Sequence, residues 1–424
     1  MKIRDRYFNL NDNVILVEGA NGGLLQDLDN QKIYSIDSLS RVCLKKLISG
    51  QSINEVILEL ENNLSKKLLD YLEKLVDKKL GFYSDMWIKP SLISKKIINN
   101  LDTVWLELRK ACNLNCCHCY IDCNFSGDLN LNILNLNQWK KIIIDLKKYN
   151  PKRVVLIGGE PLLFKEIDEL IRFINCNLNG TDIVLYSNLT LLKDNLLECI
   201  KNNNVKVVTS IYSNKSEVHD KITGRKGSFN KTIDAIKKMK SKGIYIRANM
   251  VVMNYNYNDI DDTQEFIYKL TGFKSKLDII RNVGSEKSYL IPEVFDKNYT
   301  NKIIGPNFKG VSKEEYLRNY SGNSCWQGKI NITCDGYVSP CIMGSDFIDK
   351  DFNIKISSLD DILNNYLKPR FWNLSKDYIE VCRDCEYRYI CKDCRPIAAG
   401  KSNFYKRSSK CKYNPYERKW EDKM

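Results

Sequence analysis

Three cysteines, Cys112, Cys116 and Cys119, follow one another at a C-x3-C-x2-C spacing. Three thiolates at this spacing can bind three irons of a [4Fe–4S] cluster and leave the fourth iron open for a substrate or cofactor. A ferredoxin-like electron carrier would need a fourth cysteine for the same cluster, and neither Cys117 nor Cys123 has ferredoxin spacing. The run therefore predicts a cluster with an open iron, which indicates radical chemistry rather than electron storage.

The tetrapeptide Gly158–Pro161, Gly-Gly-Glu-Pro, follows a predicted strand about forty residues after the third cysteine. Gly-Gly at a strand end often marks only a turn. Glycines can also bring the backbone close to a small ligand, and Glu160 could then hold an ammonium or amide group. With the cysteine run, this motif resembles the radical S-adenosylmethionine (SAM) superfamily. The resemblance implies that the open iron binds the amino and carboxylate groups of SAM. One electron would then release a 5′-deoxyadenosyl radical, which abstracts a substrate hydrogen.

The same resemblance implies which side chains contact SAM. Glu160 and its neighbours would bind the methionine amino group, and polar residues at later strand ends would contact the ribose and the carboxylate. The residue before the third cluster cysteine is usually aromatic in the superfamily. Here it is His118, whose flat ring can stack on adenine, although a plain loop histidine is the alternative. No catalytic side chain is implied beyond the cluster. The implied SAM contacts are His118, Gly158, Gly159, Glu160, Pro161, Ser187, Asn188, Ser210, Arg225 and Arg247.

Eight further cysteines are confined to residues 325–411, and they include two Cys-x2-Cys pairs. Two such pairs would suit a zinc ribbon, but that would leave Cys325, Cys341 and Cys411 unexplained. The pattern resembles the SPASM extension of radical SAM enzymes, although its last internal gap is two residues where three are usual. The resemblance implies two auxiliary [4Fe–4S] clusters, and so three clusters in all. The first would be bound by Cys325, Cys341 and Cys394, with Cys334 as a candidate fourth ligand, and the second by Cys382, Cys385, Cys391 and Cys411.

The composition places this chemistry in an ordinary globular protein. The chain has 424 residues, of which 43% are hydrophobic and 28% charged, a balance typical of folded domains. Sixteen cysteines, with no signal peptide and no membrane-length apolar run, indicate metal or redox chemistry in the cytoplasm rather than disulfides. Two histidines, His118 and His219, leave little scope for a histidine-ligated metal. The net charge of +14 comes from lysines spread along the chain, which favours a basic soluble surface over nucleic-acid binding.

Strands and helices alternate six times within residues 103–310, which predicts an α/β fold with a parallel sheet, a partial (β/α)6 barrel. Active sites in such barrels lie at the C-terminal ends of the strands, where the three-cysteine run begins. Residues 311–424 are expected to form a SPASM domain held together by its clusters. The predicted barrel strands are Thr103–Arg109, Arg153–Ile157, Asp182–Ser187, Val205–Ile211, Tyr245–Met253 and Leu277–Arg281.

Residues 1–85 show three predicted strands followed by three helices, the outline of a winged helix. Such a domain can bind DNA or peptide, and the lack of a dense basic recognition helix favours peptide. The hairpin Gly22–Asp37 and the helices after it resemble the small leader-binding domain of many peptide-modifying enzymes, similar to a chaperone of quinone-cofactor biosynthesis. That resemblance implies a leader strand added to the sheet edge and packed on the third helix. Residues 86–102 are predicted to be a linker.

Together these segments resemble a maturase of ribosomally made peptides. We therefore expect hydrogen abstraction from a precursor peptide bound through its leader, followed by a thioether or carbon–carbon crosslink. A slight preference for the thioether comes from residues 382–396, which resemble maturases of Cys-rich peptides. Ferredoxin or flavodoxin would supply the electron. The alternatives are an RNA-modifying radical enzyme, a winged-helix iron–sulfur regulator, and a sulfatase-type maturase, which would not need residues 1–85.

Overall fold

The computed structural model describes residues 6–91, 93–121, 123, 126–129, 131–280, 288–292, 308–344, 347–392, 394–396, 403, 405–408 and 411–420. The strands are β1 (Tyr7–Leu10), β2 (Val14–Gly19), β3 (Gly22–Asp27), β4 (Lys32–Ile36), β5 (Gly81–Ser84), β6 (Thr103–Glu107), β7 (Arg153–Ile157), β8 (Asp182–Tyr186), β9 (Lys206–Ser210), β10 (Ile246–Val252), β11 (Leu277–Ile279), β12 (Lys329–Ile332), β13 (Val338–Ser339), β14 (Tyr413–Asn414) and β15 (Lys419–Trp420). The helices are α1 (Ser38–Ile48), α2 (Ile53–Leu58), α3 (Asn62–Asp77), α4 (Leu136–Lys147), α5 (Ile167–Asn177), α6 (Asp194–Asn202), α7 (Ser216–Thr223), α8 (Ser228–Ser241), α9 (Ile260–Thr271), α10 (Lys313–Ser321) and α11 (Leu359–Asp361), which continues as a π-helix over Ile362–Trp372.

The chain divides into two compact units that are not continuous in sequence. The division differs from the four consecutive segments expected from the sequence, 1–85, 86–102, 103–310 and 311–424, because C-terminal residues pack with N-terminal ones. That four-segment domain scheme stays a prediction. The first unit comprises Met1–Ile97, Ile304–Cys325 and Asn373–Met424, and the second comprises Ile98–Ile303 and Trp326–Trp372.

The first unit is built on an antiparallel sheet in the order β2-β3-β4. The predicted sequence of three strands and three helices is present, and Ser52 and Glu55 form the capping box that starts α2. Successive strand residues face opposite sides of the sheet. Leu25 therefore packs in the core formed with α1, α2 and α3, while Leu24 packs in a second cluster with Tyr316 and Tyr389. An antiparallel pair of β1 with β5, absent from the sequence prediction, joins the two ends of this segment.

The second unit contains a sheet in the order β11-β10-β9-β8-β7-β6-β12-β13. Strands β6 to β11 are parallel, each beside its predecessor, with helices in the crossovers, so the predicted partial (β/α)6 barrel is confirmed. The predicted strands differ from the observed ones by at most two residues at any end, except that Arg281 lies outside the described residues. Strand β7 shows the near-continuous apolar pattern of a parallel strand covered on both faces, because Val154, Val155 and Leu156 are all buried.

Strand β12 extends this sheet beyond β6, which the sequence did not predict. It runs parallel to β6, with Ile332 opposite Leu106, and β13 pairs with it in the antiparallel direction. Residues from the SPASM region therefore belong to the same sheet as the first barrel strand. Among the described residues, no helix is both long and apolar enough to cross a membrane.

Candidate active site

A cavity of about 230 Å³ lies at the C-terminal ends of the parallel strands. The loop after β6 contributes Cys112, Cys116 and Cys119 to its wall. Seven of the implied SAM contacts lie on the same wall, whereas Pro161, Arg225 and Arg247 do not. These seven are His118, Gly158, Gly159, Glu160, Ser187, Asn188 and Ser210.

The start of the cysteine loop is held by Asp128. Its carboxylate accepts hydrogen bonds from the main-chain N–H groups of Lys110 and Ala111, at 2.8 and 3.0 Å. Arg109 also approaches this carboxylate, at 3.7 Å. An acceptor for consecutive N–H groups fixes the backbone just before Cys112, so the first cluster cysteine has a defined position.

Gly158 and Gly159 pack against the backbone of the same loop. A Cβ atom on Gly158 would lie 2.3 Å from the Arg109 carbonyl oxygen, and one on Gly159 would lie 2.3 Å from the Ala111 carbonyl oxygen. The N–H of Gly159 donates to the Arg109 carbonyl at 2.7 Å. Only glycine allows this approach, so the two glycines seat the cysteine loop as well as lining the cavity.

The middle of the cysteine loop is joined to the end of α7. The N–H groups of Asn115 and Cys117 donate to the carbonyls of Thr223 and Ile222, each at 3.0 Å. Arg225, an implied carboxylate ligand, donates from Nη1 to the Asn113 carbonyl at 2.8 Å. The structure therefore places Arg225 where it supports the loop, and its role towards SAM stays a prediction.

Glu160 is at the centre of a buried hydrogen-bond network. Its Oε1 atom accepts from the Ser187 hydroxyl at 2.7 Å and from the Leu162 N–H at 3.0 Å, and Oε2 accepts from the Asn188 N–H at 2.9 Å. Burial raises the pKa of Glu160 to about 7, while these hydrogen bonds oppose the rise by favouring the carboxylate. The side chain lies on the cavity wall, and its contact with the SAM amino group stays a prediction.

His118, Tyr212 and His219 form another part of the wall. His118 meets Tyr212 edge to face, with ring centroids 4.7 Å apart. The Tyr212 hydroxyl is hydrogen-bonded to Ser210, and burial raises the pKa of this phenol. The N–H of Tyr212 donates to Nδ1 of His219 at 3.3 Å. His118 therefore lies on the cavity wall, and its stacking on adenine stays a prediction.

Arg247, another implied carboxylate ligand, is on β10, two residues before Asn249, which lines the cavity. Alternate strand residues share a face, so Arg247 lies on the cavity-facing side of the strand but off the wall itself. Its Nε atom is buried and has no hydrogen-bond partner within the described residues. The contact of Arg247 with SAM stays a prediction.

The donor set fits an iron–sulfur cluster. Burial raises the pKa of the Cys112 thiol to about 11 and that of Cys116 further, so these groups become thiolates only beside a strong positive charge such as iron. Cys123 lines the same cavity, and its thiol is hydrogen-bonded to Cys119. Within the described residues, no three His, Cys, Asp or Glu side chains are close enough for a single metal ion. A four-iron cluster differs, because each thiolate binds its own iron.

The first unit contains a second cysteine-lined cavity. Its wall includes all four cysteines that the sequence assigned to the second auxiliary cluster: Cys382, Cys385, Cys391 and Cys411. Backbone hydrogen bonds from Cys385 to Cys382 and from Cys391 to Tyr387, each at 3.0 Å, hold this stretch in short turns. Burial raises the pKa of the Cys385 thiol, as in the first cavity. The four residues are thus brought together, as a shared cluster requires.

The cysteines assigned to the first auxiliary cluster have different surroundings. Cys325 is exposed and Cys394 is half-buried, both in the first unit. Cys334 and Cys341 belong to the second unit. Cys334 is buried, its thiol accepts a hydrogen bond from the Lys110 main chain, and burial raises its pKa to about 12. Their assignment to one cluster, including Cys334, stays a prediction.

Several residues of the site were missed at the sequence level. Asn113 links the cysteine loop to the loop after β8, because its amide donates to Thr190 at 2.7 Å and accepts from Asn188 at 2.9 Å. Glu107, the last residue of β6, is half-buried and hydrogen-bonded to Asn331 of β12, and desolvation raises its pKa to about 7. Asn113 follows Cys112 directly, so its place in the motif was a usable signal, whereas Glu107 needed the unpredicted strand β12.

Comparisons with known proteins agree with this geometry. The sequence profile of the radical SAM superfamily matches residues 106–267, and that of the SPASM iron–sulfur cluster-binding domain matches residues 325–386. The chain therefore contains a radical SAM domain and a SPASM domain. The predictions of a radical SAM enzyme, of SAM as cofactor and of [4Fe–4S] clusters that include auxiliary clusters are confirmed.

Two curated relatives come from Bacillus subtilis (strain 168). The antilisterial bacteriocin subtilosin biosynthesis protein AlbA is 27% identical over 323 residues, which are 72% of this chain and 70% of AlbA. The sporulation killing factor maturation protein SkfB is 26% identical over 247 residues, 56% of this chain and 59% of SkfB. The solved structure of Streptococcus suis SuiB bound to its precursor peptide SuiA has a similar fold, with a TM-score of 0.58 at 17% identity, covering 96% of this chain and 99% of SuiB.

Proposed function

We propose that this enzyme modifies a ribosomally synthesised precursor peptide, removing a hydrogen atom from it and joining two of its residues by a thioether or carbon–carbon bond. The observation that carries the proposal is the presence, in one chain, of a radical SAM cavity, a SPASM region and an N-terminal sheet followed by three helices. The names of AlbA and SkfB refer to bacteriocin biosynthesis and killing-factor maturation, and SuiB was crystallised with a precursor peptide. These relatives support a peptide substrate.

When bound, SAM and its cluster supply a carbon-centred radical that removes a substrate hydrogen. The residues of this chain position that chemistry. Cys112, Cys116 and Cys119 would bind the cluster, and Glu160 with its neighbours Gly158, Gly159 and Pro161 would bind the amino end of SAM. His118 would stack on the adenine. The ribose and carboxylate would be held by Ser187, Asn188, Ser210, Arg225 and Arg247.

The auxiliary ligands follow the same proposal. Cys325, Cys334, Cys341 and Cys394 would bind the first auxiliary cluster, and the cysteine-lined cavity of the first unit would hold the second. Thiolate-bound clusters persist in reducing surroundings, which supports a cytoplasmic enzyme that receives its electron from ferredoxin or flavodoxin.

The precursor peptide would bind through its leader to residues 1–85. Edge strands offer unpaired N–H and C=O groups, to which an extended peptide can add. The three-stranded sheet of the first unit has two edge strands, β2 and β4. Nζ of Lys78, just after α3, lies 5.6 Å from the ring centre of Tyr34, so the end of α3 is beside β4.

The decisive experiment is anaerobic co-expression with the short peptide encoded beside this chain's gene, followed by mass spectrometry of the peptide. We expect the loss of two hydrogens per crosslink, at a position located by fragmentation. One would leave as an atom to the 5′-deoxyadenosyl radical, and the other as a proton whose electron an auxiliary cluster would accept. A matched culture in which Cys112, Cys116 and Cys119 are all replaced by Ala should return unmodified peptide. An unchanged peptide mass with the wild-type enzyme would contradict crosslinking, and tight binding of RNA at physiological salt would favour the nucleic-acid alternative.

A further inference from the structure

The first unit contains an apolar cavity of about 670 Å³ that runs along the outer edge of β2. Each residue from Leu10 to Val17 lies on its wall, so the cavity follows the backbone of the strand rather than a single side chain. This volume is within the range of sites that hold peptides and small ligands. The opposite wall is formed by residues before Ile97 and by α10: Pro90, Ser91, Ile93, Ser94, Lys96, Lys313, Tyr316, Leu317 and Tyr320.

The register of the sheet shows which backbone groups face this cavity. The N–H of Leu28 donates to the Asn13 carbonyl, so the backbone N–H and C=O groups of Asn13 and of alternate residues after it point towards β3. The backbone groups of Leu16 and Glu18 therefore point away from β3. The Glu18 carbonyl accepts from Nη1 of Arg388 at 2.6 Å, which closes one end. The N–H and C=O of Leu16 make no hydrogen bond within the described residues and are open to an added strand.

The charged residues on the wall indicate the sign of the charge that the occupant should have. Lys96 and Lys313 are exposed and have no carboxylate partner within the described residues, although Nζ of Lys313 donates to the Asn13 side chain at 2.7 Å. Arg388 adds a third cation, paired with Asp377. Asp12 is the only acidic residue on the described wall. An occupant with acidic side chains next to its apolar anchors would complement this surface.

We propose that an extended, acidic segment of the precursor peptide binds in this cavity as an additional strand on the outer edge of β2. The inference rests on the proposed peptide substrate and specifies the β2 edge of the sheet rather than the β4 edge. A strand beside Val14–Val17 would span about four residues at roughly 3.3 Å each. Its apolar side chains would pack against Tyr316 and Tyr320, and its carboxylates would lie near Lys96 and Lys313.

The test measures binding of the fluorescein-labelled precursor peptide to the full cluster-loaded enzyme by fluorescence anisotropy. Replacing Lys96 and Lys313 together by Glu should weaken the Kd at least tenfold at low salt, because two attractions become repulsions. The matched control replaces Lys74, in the last turn of α3, and Lys78, just after it, by Glu, which changes the net charge equally. This control should bind like the wild type.

Amide hydrogen exchange gives a second measurement that does not depend on any variant. With bound peptide, the Leu16 amide should become protected while the amides of β4 remain unchanged. Protection confined to β4, with loss of binding in the Lys74 and Lys78 variant, would overturn the β2 site and leave the peptide function intact. Failure of the wild type to bind the peptide at all would overturn the proposed function, and the β2 site with it.

Discussion

The hydroxyl of Ser187 donates a hydrogen bond of 2.7 Å to the carboxylate of Glu160, which ties the loop after β8 to the loop after β7. Two main-chain N–H groups, those of Leu162 and Asn188, donate to the same carboxylate. A residue expected to touch SAM therefore also fixes the shape of the wall around it. Binding of the cofactor and order of these loops should change together when Glu160 is altered.

Glu160→Gln should weaken both SAM binding and stability. Glutamine turns one acceptor oxygen into an NH2 group, which would face a main-chain N–H in a buried place and leave it unpaired, at a cost of about 1–3 kcal/mol. Equilibrium dialysis of SAM and urea denaturation under argon measure the two effects. Glu166→Gln, an exposed change six residues later, is the control and should alter neither. Normal SAM binding by the Glu160 variant would refute the role of this network.

Gly159→Ala should prevent proper loading of the SAM cluster. The added methyl group would lie 2.3 and 2.5 Å from the carbonyl oxygens of Ala111 and Lys110, so the cysteine loop must move. Overpacking of this kind costs about 1–3 kcal/mol. Iron should fall from roughly twelve towards eight atoms per chain, one cluster fewer.

The control for that change is Gly180→Asn, because nothing lies within 4 Å of a Cβ at Gly180 and asparagine tolerates its positive φ of 76°. This variant should keep the full iron content. Full iron together with SAM cleavage in Gly159→Ala would show that the loop can shift without harm.

Replacing the three cysteines of the first cavity should remove the SAM cluster and leave the auxiliary clusters in place. The Cys112, Cys116 and Cys119 to Ala variant should lose about four irons and all SAM cleavage, since the auxiliary clusters have their own ligands. Cys385→Ala should lose about four irons from the other cavity but still bind SAM. Iron analysis with a SAM-cleavage assay checks both variants, and a wild-type count of only about four irons would exclude the auxiliary pair.

The stability of the second unit should depend on pH through His219. Burial lowers its pKa from 6.5 to about 4, and its Nδ1 atom accepts a hydrogen bond from Tyr212, which requires the neutral ring. Because the folded-state pKa is below the unfolded one, the stabilisation is complete above pH 6.5 and is lost as the pH falls towards 4. Between pH 7 and pH 5 the wild type should lose about 2 kcal/mol relative to His219→Gln.

Urea denaturation under argon, followed by tryptophan fluorescence at several pH values, checks this dependence. The difference between the wild type and His219→Gln should shrink as the pH falls. A constant difference from pH 7 to pH 5 would mean that the ring is not held neutral in the folded protein.

The parallel strands could be predicted because each is a short apolar run followed by a helix, and that signal is local. The pair of β1 with β5 could not, since four-residue strands more than seventy positions apart have no shared period. Strand β12 was missed for the same reason. Its four residues become a strand only through hydrogen bonds to β6.

In the candidate site, too, local sequence features could be predicted and contacts between distant loops could not. Cysteine spacing indicated the cluster, because ligand number and spacing follow from the geometry of the metal group. The supporting contacts of Asp128, Asn113 and Arg225 depend on loops meeting in three dimensions. Gly158 and Gly159 were expected to approach a ligand, and the structure shows that they also approach the backbone of the cysteine loop.

The parallel pairing of β12 with β6 has a practical consequence for building chimeric enzymes. Ile332 lies opposite Leu106, and β12 ends there, two residues before Cys334. The pairing with β6 therefore fixes the position along the sheet at which the segment containing Cys334 begins. A one-residue shift in the pairing of such a strand moves each of its side chains to the opposite face of the sheet. Exchange of SPASM regions between homologues should therefore use a junction after Ile332. A junction upstream of Lys329 must preserve the number of residues up to the strand.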